Sequence, residues 1–274
     1  MIVTPLTPSS NRDPLPNRAD TRLTYEQPLN ERIRGFLRLE HLFENISARI
    51  YGLSVWDSRA ALAGLIDVLD LLSRCEFKSE LIKELERYVA LFARLRLHPG
   101  VDLRRLDEIL GQLDTLSTAL KDHAYQPGQN LRQDELVNAI KSRISIPGGT
   151  CSFDTPAYHY WLSKPAEQRI RQLNQWVEDL RIIQAGVARV LKTLRESAEP
   201  IPIVASAGFY QQSLEPGIPC QLLRVVLPLD VELFPEISAS KHRFTLRFLE
   251  QPVTGKRPIQ TSQDVGFELQ CCIL

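Results

Sequence analysis

The chain has 274 residues, of which 43% are hydrophobic and 24% are charged, so it is long enough to bury one large core or two unequal ones. Its 33 basic and 33 acidic side chains cancel, which excludes the overall positive field of proteins that bind nucleic acid or anionic membranes. The N-terminus has no apolar signal segment, and no run approaches the roughly 18 apolar residues of a spanning helix. We therefore expect a cytoplasmic protein without a nucleic-acid or membrane partner.

The first predicted segment is a disordered, proline-rich tail over residues 1–20, which contains four prolines and little apolar material. A mainly helical domain is predicted over 21–200. It opens with a short strand at 22–27, where Leu23 and Tyr25 alternate with polar residues. The sequence leaves open whether this strand joins a distant sheet.

From Leu29 onward the apolar residues recur at helical spacing. The pattern predicts a first helix to about residue 51. Polar residues at the expected cap positions predict the starts of three more helices, namely Asp57 or Ser58, then Ser79, then Asp102. Shorter helices are predicted over 131–143 and from Pro156, with Asp154 or Thr155 as its cap.

The longest predicted helix covers residues 165–197. Its apolar residues keep a 3-4 spacing throughout, and about 30 residues would span roughly 45 to 50 Å. Such a heptad pattern fits either the seam of a coiled-coil dimer or the central rod of a helical bundle. Because many other helices are predicted around it, the pattern favours the rod.

Beyond the Glu199-Pro200-Ile201-Pro202 stop, the apolar spacing changes to the period of two that strands require. Three runs place their apolar side chains on one face: Leu223, Val225, Leu227 and Leu229; Phe244, Leu246 and Phe248; Val265, Phe267, Leu269 and Cys271. We predict an antiparallel sheet with one buried face, in a smaller β domain over 201–274. The whole chain is then α+β, with a multi-helix N-terminal domain first.

Five scattered cysteines show no metal-ligand spacing, so reduced thiols are expected, with no metal and no cofactor. The common nucleotide, zinc and hydrolase signatures are absent from the sequence. The crowded segment SIPGGTCSFDTPAYHYWL at 145–162 offers one catalytic alternative, in which Cys151 or Ser152 is the nucleophile, His159 the base and Asp154 the orienting group. Its Pro-Gly-Gly turn and aromatics favour a fixed recognition shape instead, so we expect no enzyme.

Basic side chains are the stronger candidates for a binding site. Arg34, Arg38 and His41 fall at i, i+4 and i+7 on the first helix, which aligns them along one face. A second basic group, formed by Arg132, Lys141 and Arg143, lies just before the 145–162 segment. These side chains are either a solvated face with salt bridges or a groove for an acidic or amphipathic peptide.

Two stretches carry a family resemblance: TYEQPLNERIRGFLRLEHLF at 24–43 and RISIPGGTCSFDTPAYHYWL at 143–162. Both closely resemble the ZapD family of bacterial division proteins, which bind the tubulin-like protein FtsZ. The resemblance continues through SELIKELER, FPEISASKHRFTLRF and the terminal FELQCC, and so covers about residues 24 to 272.

The resemblance implies a non-enzymatic cytoplasmic homodimer that binds the C-terminal tail of FtsZ and bundles FtsZ filaments at the midcell division ring. The family motifs place the binding residues at Arg34, Arg38, Arg132 and His159, whereas Glu135 stands where the family tends to have a basic residue. A helical scaffold for another cytoplasmic partner is the alternative function.

Overall fold

The structure is a computed structural model that describes residues 22–274 except positions 75, 97, 99, 216, 218, 219, 241, 253 and 254. The predicted disordered tail over 1–20 therefore lies outside the described residues. The described chain forms two compact units, a helical unit from Asn30 to Ser197 and a β unit that combines residues 22–29 with Ala198–Ile273. The predicted α+β fold is confirmed.

The helical unit contains α1 (Glu31–Arg49), α2 (Val55–Arg74), α3 (Phe77–Leu95), α4 (Leu103–Lys121), α5 (Gln129–Gln133), α6 (Glu135–Lys141), α7 (Pro156–Ser163), α8 (Ala166–Glu178) and α9 (Arg181–Arg195). Helix α9 packs against α1, α3 and α4, while α2 packs against α1 and α8. Gly186 allows the close approach of α9, because a Cβ at that position would lie 2.7 Å from the Leu81 side chain of α3. Helix α9 thus contacts three other helices of the unit.

The prediction of one helix over 165–197 is wrong, because the chain turns between α8 and α9 at Asp179 and Leu180. The turn is held from outside these helices. The Asp179 carboxylate accepts a hydrogen bond from the Asn130 backbone amide at 2.9 Å, and the Tyr125 hydroxyl accepts one from the Ile183 amide at 3.2 Å. Burial raises the pKa of Tyr125 to about 12, so this hydroxyl stays neutral at physiological pH.

The helix predicted over 131–143 is also wrong, since the chain forms α5 and α6 instead. Asp134 ends the first and caps the second, where its side chain accepts a hydrogen bond from the Val137 amide. Its other carboxylate oxygen accepts a hydrogen bond from the Trp176 indole at 3.1 Å. The break therefore attaches this region to α8.

Of the N-caps predicted for α2, α3 and α4, the structure has only the one of α4. Asp102 caps α4 as predicted, by accepting hydrogen bonds from the Arg104 and Arg105 amides. The caps predicted for α2 and α3 are wrong. Helix α3 begins at Phe77, two residues before Ser79. Helix α2 begins after Ser54, not at Asp57 or Ser58.

Ser54 and Asp57 form a reciprocal cap at the start of α2. The Asp57 amide donates to the Ser54 hydroxyl at 3.0 Å, and the Ser54 amide donates to the Asp57 carboxylate at 3.2 Å. This is the geometry of a capping box, in which each side chain satisfies a backbone donor that the helix leaves free. The hydrogen bond from the Ser54 side chain, together with the nearby Arg49 guanidinium, lowers the pKa of Asp57.

Replacement of Asp57 by asparagine is expected to lower the free energy of unfolding at pH 7 by about 1 kcal/mol. Because the folded pKa of Asp57 is depressed, its contribution is present above the unfolded pKa, near 3.8, and is lost as pH falls through the folded pKa. The variant should therefore lose less stability than the parent protein between pH 5 and pH 3. Urea unfolding at several pH values measures this difference, and parallel curves at a constant offset would contradict it.

The β unit contains β1 (Arg22–Pro28), β2 (Ile201–Ala205), β3 (Phe209–Ser213), β4 (Leu222–Pro228), β5 (Leu233–Ala239), β6 (Arg243–Glu250), β7 (Ile259–Gln260) and β8 (Val265–Cys272). One sheet has the order β1-β4-β8-β2, and the other has the order β3-β6-β5 with β7 paired to β6. All the pairs are antiparallel. Strand β1 thus joins the C-terminal strands, because its register with β4 runs from Arg22 opposite Pro228 to Pro28 opposite Leu222.

The core of the β unit lies between the inner faces of these two sheets. All but two of the apolar residues predicted to point inward are buried there; Leu229 is exposed beyond the end of β4, and Cys271 is only partly buried. Phe267 of one sheet contacts Phe248 of the other, with ring centroids 5.1 Å apart. A single sheet with one wet face is therefore replaced by two sheets that share one core. Of the described cysteines, Cys151 is exposed, Cys220 and Cys271 are partly buried, and Cys272 is buried.

Candidate functional site

The segment between α6 and α7 has the fixed shape that its sequence predicts. Successive turns close it through backbone hydrogen bonds from Ile146 to Arg143 and from Gly149 to Ile146. Gly148 adopts a φ of 73°, which favours glycine. A Cβ at Gly149 would lie 2.5 Å from the Arg143 carbonyl oxygen, so the turn needs both glycines.

Arg59 of α2 joins this segment to α7. Its guanidinium lies 5.4 Å from the ring centroid of Trp56 and 5.1 Å from that of Tyr158, and it donates a hydrogen bond to the Thr150 hydroxyl at 3.2 Å. Burial raises the pKa of Tyr158, while the positive charge of Arg59 opposes that shift. A cation between two rings is a stabilising arrangement that also fixes where Trp56 lies.

Three large aromatic side chains remain exposed on or beside these elements. Trp56 is 75% exposed, Phe153 81% and Tyr160 67%. We call these three side chains the aromatic surface. Exposed aromatics of this size are typical of protein-binding surfaces, since they bury much area on contact at little cost in side-chain entropy.

A buried arginine supports the aromatic surface from below. Arg169 of α8 is 4% exposed and donates hydrogen bonds to the Ser58 hydroxyl and the Leu53 carbonyl, both at 2.9 Å. It also donates to the carbonyls of Leu162 and Lys164 at the C-terminal end of α7. One side chain therefore ties the beginning of α2, which carries Trp56, to the end of α7.

An aromatic cluster fills the space beneath α7. The Tyr158 and Trp161 rings stack at 5.9 Å, and the Trp161 and Trp176 ring centroids lie 5.8 Å apart. The Trp161 indole donates to the Gln172 side chain at 3.0 Å, so the polar end of the buried ring has a partner. Alternate aromatic residues of the segment thus form a rigid base, and the remaining ones face solvent.

Three of the seven basic residues predicted for the site are exposed and have no ion pair among the described residues. They are Arg38 on α1, Arg132 on α5 and His159 on α7. The two arginines are the positive groups most readily offered to an acidic ligand, and the imidazole of His159 adds a hydrogen-bonding group.

The other four have partners on the protein surface. Arg34 pairs with Glu31 at 3.1 Å, Lys141 with Asp70 at 2.6 Å and Arg143 with Asp154 at 3.2 Å, while His41 is hydrogen-bonded to Asn45 at 3.0 Å. Surface pairs of this kind contribute only about 0–1 kcal/mol each, so a ligand carboxylate can replace the partner.

The described ion pairs and hydrogen bonds bring only part of the predicted site together. Arg143 contacts the segment that leads to His159, and Lys141 contacts α2. No described ion pair or hydrogen bond joins Arg34, Arg38 or His41 to the other four residues. The seven residues are thus placed on a common helical unit, and their use by one ligand remains a prediction.

The alternative of a hydrolase does not gain support from the geometry. Asp154, the orienting group of that hypothesis, is bound by the Arg143 guanidinium. The amide of His159 donates to the Thr155 carbonyl within α7, and the side chain of His159 is exposed. Within the described residues, no hydrogen bond links His159 to Cys151 or Ser152.

Trp56, Arg59 and Arg169 are the residues of this region that sequence reasoning missed. The spacing of Trp56 and Arg59 at i and i+3 was an available signal, since such residues share one helix face. Arg169 had no local signal, because three of its four acceptors belong to residues 53, 58 and 162.

Among the described residues, no helix is long and apolar enough to cross a membrane. That part of the chain also contains no group of three or more His, Cys, Asp or Glu side chains placed to hold a metal ion.

Fold and surface together define a two-unit α+β protein whose helical unit carries exposed aromatic and basic side chains on a rigid base. Comparison with known proteins identifies the family to which the chain belongs. The model of the ZapD family, described as a cell division protein, matches residues 37–247. The chain belongs to the ZapD family of cell division proteins.

Individual relatives agree with this assignment. The chain is 42% identical over 253 residues to the cell division protein ZapD of Methylococcus capsulatus, with 92% of this chain and 99% of the relative covered. It is 37% identical to the ZapD protein of Coxiella burnetii, with 92% and 98% covered. The ZapD protein of Aromatoleum aromaticum is 38% identical, with 94% and 100% covered.

Proposed function

We propose that this protein binds the C-terminal tail of FtsZ in the cytoplasm and, as a homodimer, cross-links FtsZ filaments at the midcell division ring. Its membership of a family of cell division proteins supports a role in division. The resemblance of residues 24–43 and 143–162 to the ZapD family implies FtsZ as the partner. The single observation that carries the binding mode is the exposure of Arg38, Arg132 and His159 without a described ion pair. A short acidic or amphipathic peptide matches such a surface in charge.

The aromatic surface gives the same peptide an apolar contact. Trp56, Phe153 and Tyr160 would cover its nonpolar side chains, while the exposed arginines pair with its carboxylates. Hydrogen bonds between charged partners contribute about 1.5–3 kcal/mol each, so two or three of them suffice for a weak, reversible site.

Bundling of FtsZ filaments then follows from the number of binding sites in the dimer. A dimer holds two such sites, and once the first is occupied the second meets its tail at an effective concentration in the millimolar range. This can strengthen attachment to a filament by roughly 10² to 10⁴ without any new contact. The protein performs no chemical step, and its balanced charge gives it no preference for nucleic acid.

Co-sedimentation with FtsZ filaments tests this function. We expect the full-length protein to pellet with filaments of intact FtsZ and to stay in the supernatant with filaments of FtsZ that lack the C-terminal tail. Because the contacts are charged and the screening length is only about 8 Å at physiological ionic strength, added salt should reduce the pelleted fraction. Equal pelleting with both forms of FtsZ would reject the tail as the ligand.

A further inference from the structure

Three of the described cysteines lie where β4 and β8 pair. Cys271 of β8 lies opposite Leu223 of β4, and Cys272 lies opposite Leu222. Cys220 precedes the first residue of β4 by two positions. Because a strand places successive side chains on opposite faces of its sheet, only one of Cys271 and Cys272 can share a face with Cys220.

The backbone at the start of β4 determines which of the two it is. The Gln221 amide donates a hydrogen bond to the Cys272 carbonyl at 2.8 Å, although Leu222 is the register partner of Cys272. Two successive residues thus lie opposite one, which is the arrangement of a β-bulge. The additional residue shifts the alternation of side chains by one position, so Cys220 lies on the same face of the sheet as Cys271.

Side-chain packing agrees with this placement. Cys220 and Cys271 are both partly buried, and both pack against the core between the two sheets. The sulfur of Cys220 lies 3.6 Å from the Leu222 carbonyl oxygen, which directs it back toward β4. It also makes a side-chain hydrogen bond with Cys271. The sulfurs of Cys220 and Cys271 are therefore direct neighbours, whereas Cys272 points to the opposite face of the sheet.

We infer that Cys220 and Cys271 form a site of reversible oxidation, at which a hydroperoxide converts the two thiols into a disulfide. In the first step the thiolate of Cys271 attacks one peroxide oxygen, the O–O bond breaks, hydroxide leaves, and Cys271 becomes a sulfenic acid. In the second step the Cys220 sulfur attacks the Cys271 sulfur, the S–O bond breaks, and water leaves with the proton of the Cys220 thiol. The two thiols lose two electrons, and the peroxide gains them.

The hydrogen bond between the two cysteines assigns their roles. It lowers the pKa of Cys271, and burial opposes that shift. The same hydrogen bond, together with burial, raises the pKa of Cys220. Because the thiolate is the nucleophile, Cys271 reacts first with the peroxide, and Cys220 keeps its proton until the second step. The resulting disulfide would cross-link the beginning of β4 to the end of β8.

Oxidation of the full-length, reduced protein with an equimolar amount of hydrogen peroxide tests the inference. The remaining thiols are then alkylated, the protein is digested without reductant, and the peptides are sequenced by mass spectrometry. We expect a pair of peptides joined through Cys220 and Cys271, lighter than the two separate peptides by the mass of two hydrogen atoms. Fragmentation between residues 271 and 272 identifies the linked cysteine, and dithiothreitol should separate the pair.

Two serine variants of adjacent residues provide the matched control. Cys271→Ser should abolish the linked pair of peptides, because the nucleophile is gone. Cys272→Ser changes the neighbouring residue on the opposite face of the sheet and should retain the pair. Mapping of the parent protein does not depend on the folding of either variant, so it tests the inference by itself.

The outcomes that would overturn the inference are distinct from one another. One is a disulfide that joins Cys220 or Cys271 to any other cysteine, Cys272 included. A second is oxidation confined to Cys151, which is the exposed cysteine of the described chain. A third is a linked pair that arises between copies, which a mixture of isotope-labelled and unlabelled protein would reveal.

Discussion

Replacement of Arg169 by methionine is expected to lower the free energy of unfolding by about 3 to 4 kcal/mol, since each buried acceptor left unsatisfied costs about 1–3 kcal/mol. Methionine keeps much of the volume of the side chain but donates no hydrogen bond. It would leave the Ser58 hydroxyl and the carbonyls of Leu53, Leu162 and Lys164 without their common donor. Because the bonds to Leu53 and Lys164 are only partly buried, water can replace some of the loss, and the estimate stays below the sum of four full penalties.

Arg171 supplies the control for this prediction. It lies on the same helix and is exposed, so Arg171→Met should change stability by less than about 0.5 kcal/mol. Urea unfolding followed by circular dichroism measures both variants. A third variant, Arg169→Lys, keeps the charge but loses the planar fork and should recover only a part of the stability. A loss below 1 kcal/mol in Arg169→Met would show that the four bonds do not hold α2 and α7 together.

The same variant links the fold to the proposed site. Arg169 contacts none of the exposed basic residues, yet it holds the beginning of α2 against the end of α7. Loosening these two elements would let Trp56 on α2 move relative to Tyr160 on α7. We therefore expect that Arg169→Met also weakens attachment to FtsZ filaments under conditions in which the variant is still folded.

Residues that face the core of the β unit could be predicted because strand periodicity is local. Phe244, Leu246 and Phe248 alternate with polar neighbours, and this alone places them on one face. Sheet membership is not local. Strand β4 pairs with β1 and β8, which are distant in the chain, so alternation could not distinguish one sheet from two that share a core.

The turn between α8 and α9 shows the corresponding limit for helices. The apolar spacing continues through Asp179 and Leu180, and nothing in residues 165–197 marks an end. The chain turns because Asn130 and Tyr125, some 50 residues away, supply partners for Asp179 and Ile183. Tertiary contacts thus overrode a local pattern, as they commonly do for helical propensity.

In the candidate site, too, some residues could be predicted from the sequence and others could not. Basic residues and the turn-rich segment could be read from the sequence, because Arg38, Arg132 and His159 are prominent by type and Pro147-Gly148-Gly149 is a turn signal. The support beneath them could not be predicted, since two of the four acceptors of Arg169 lie more than 100 positions away in the chain.

Reversing the charge of Arg38 is expected to abolish co-sedimentation with FtsZ filaments. Arg38→Glu would remove a charge-assisted contact of about 1.5–3 kcal/mol and add a repulsion against an acidic tail, which weakens each site by at least about tenfold. A dimer loses this factor at both of its sites, so the avidity falls by roughly the product of the two losses.

The fold should tolerate this change. Arg38 is exposed on α1 and has no ion pair among the described residues, so its replacement should alter stability by no more than about 0.5 kcal/mol. Arg104→Glu is the matched control, because Arg104 is also exposed but lies on α4, outside the proposed site. Circular dichroism and size-exclusion chromatography would establish that both variants keep the parent fold and oligomeric state.

The two variants together decide whether charge at one place or charge in general attaches the protein to filaments. Both remove one positive charge and add one negative charge, so long-range attraction to the filament changes equally. If the exposed basic residue on α1 binds the tail directly, Arg38→Glu stays in the supernatant while Arg104→Glu pellets like the parent protein. Equal pelleting of the two would remove Arg38 from the site, and equal loss would reduce the contact to nonspecific attraction.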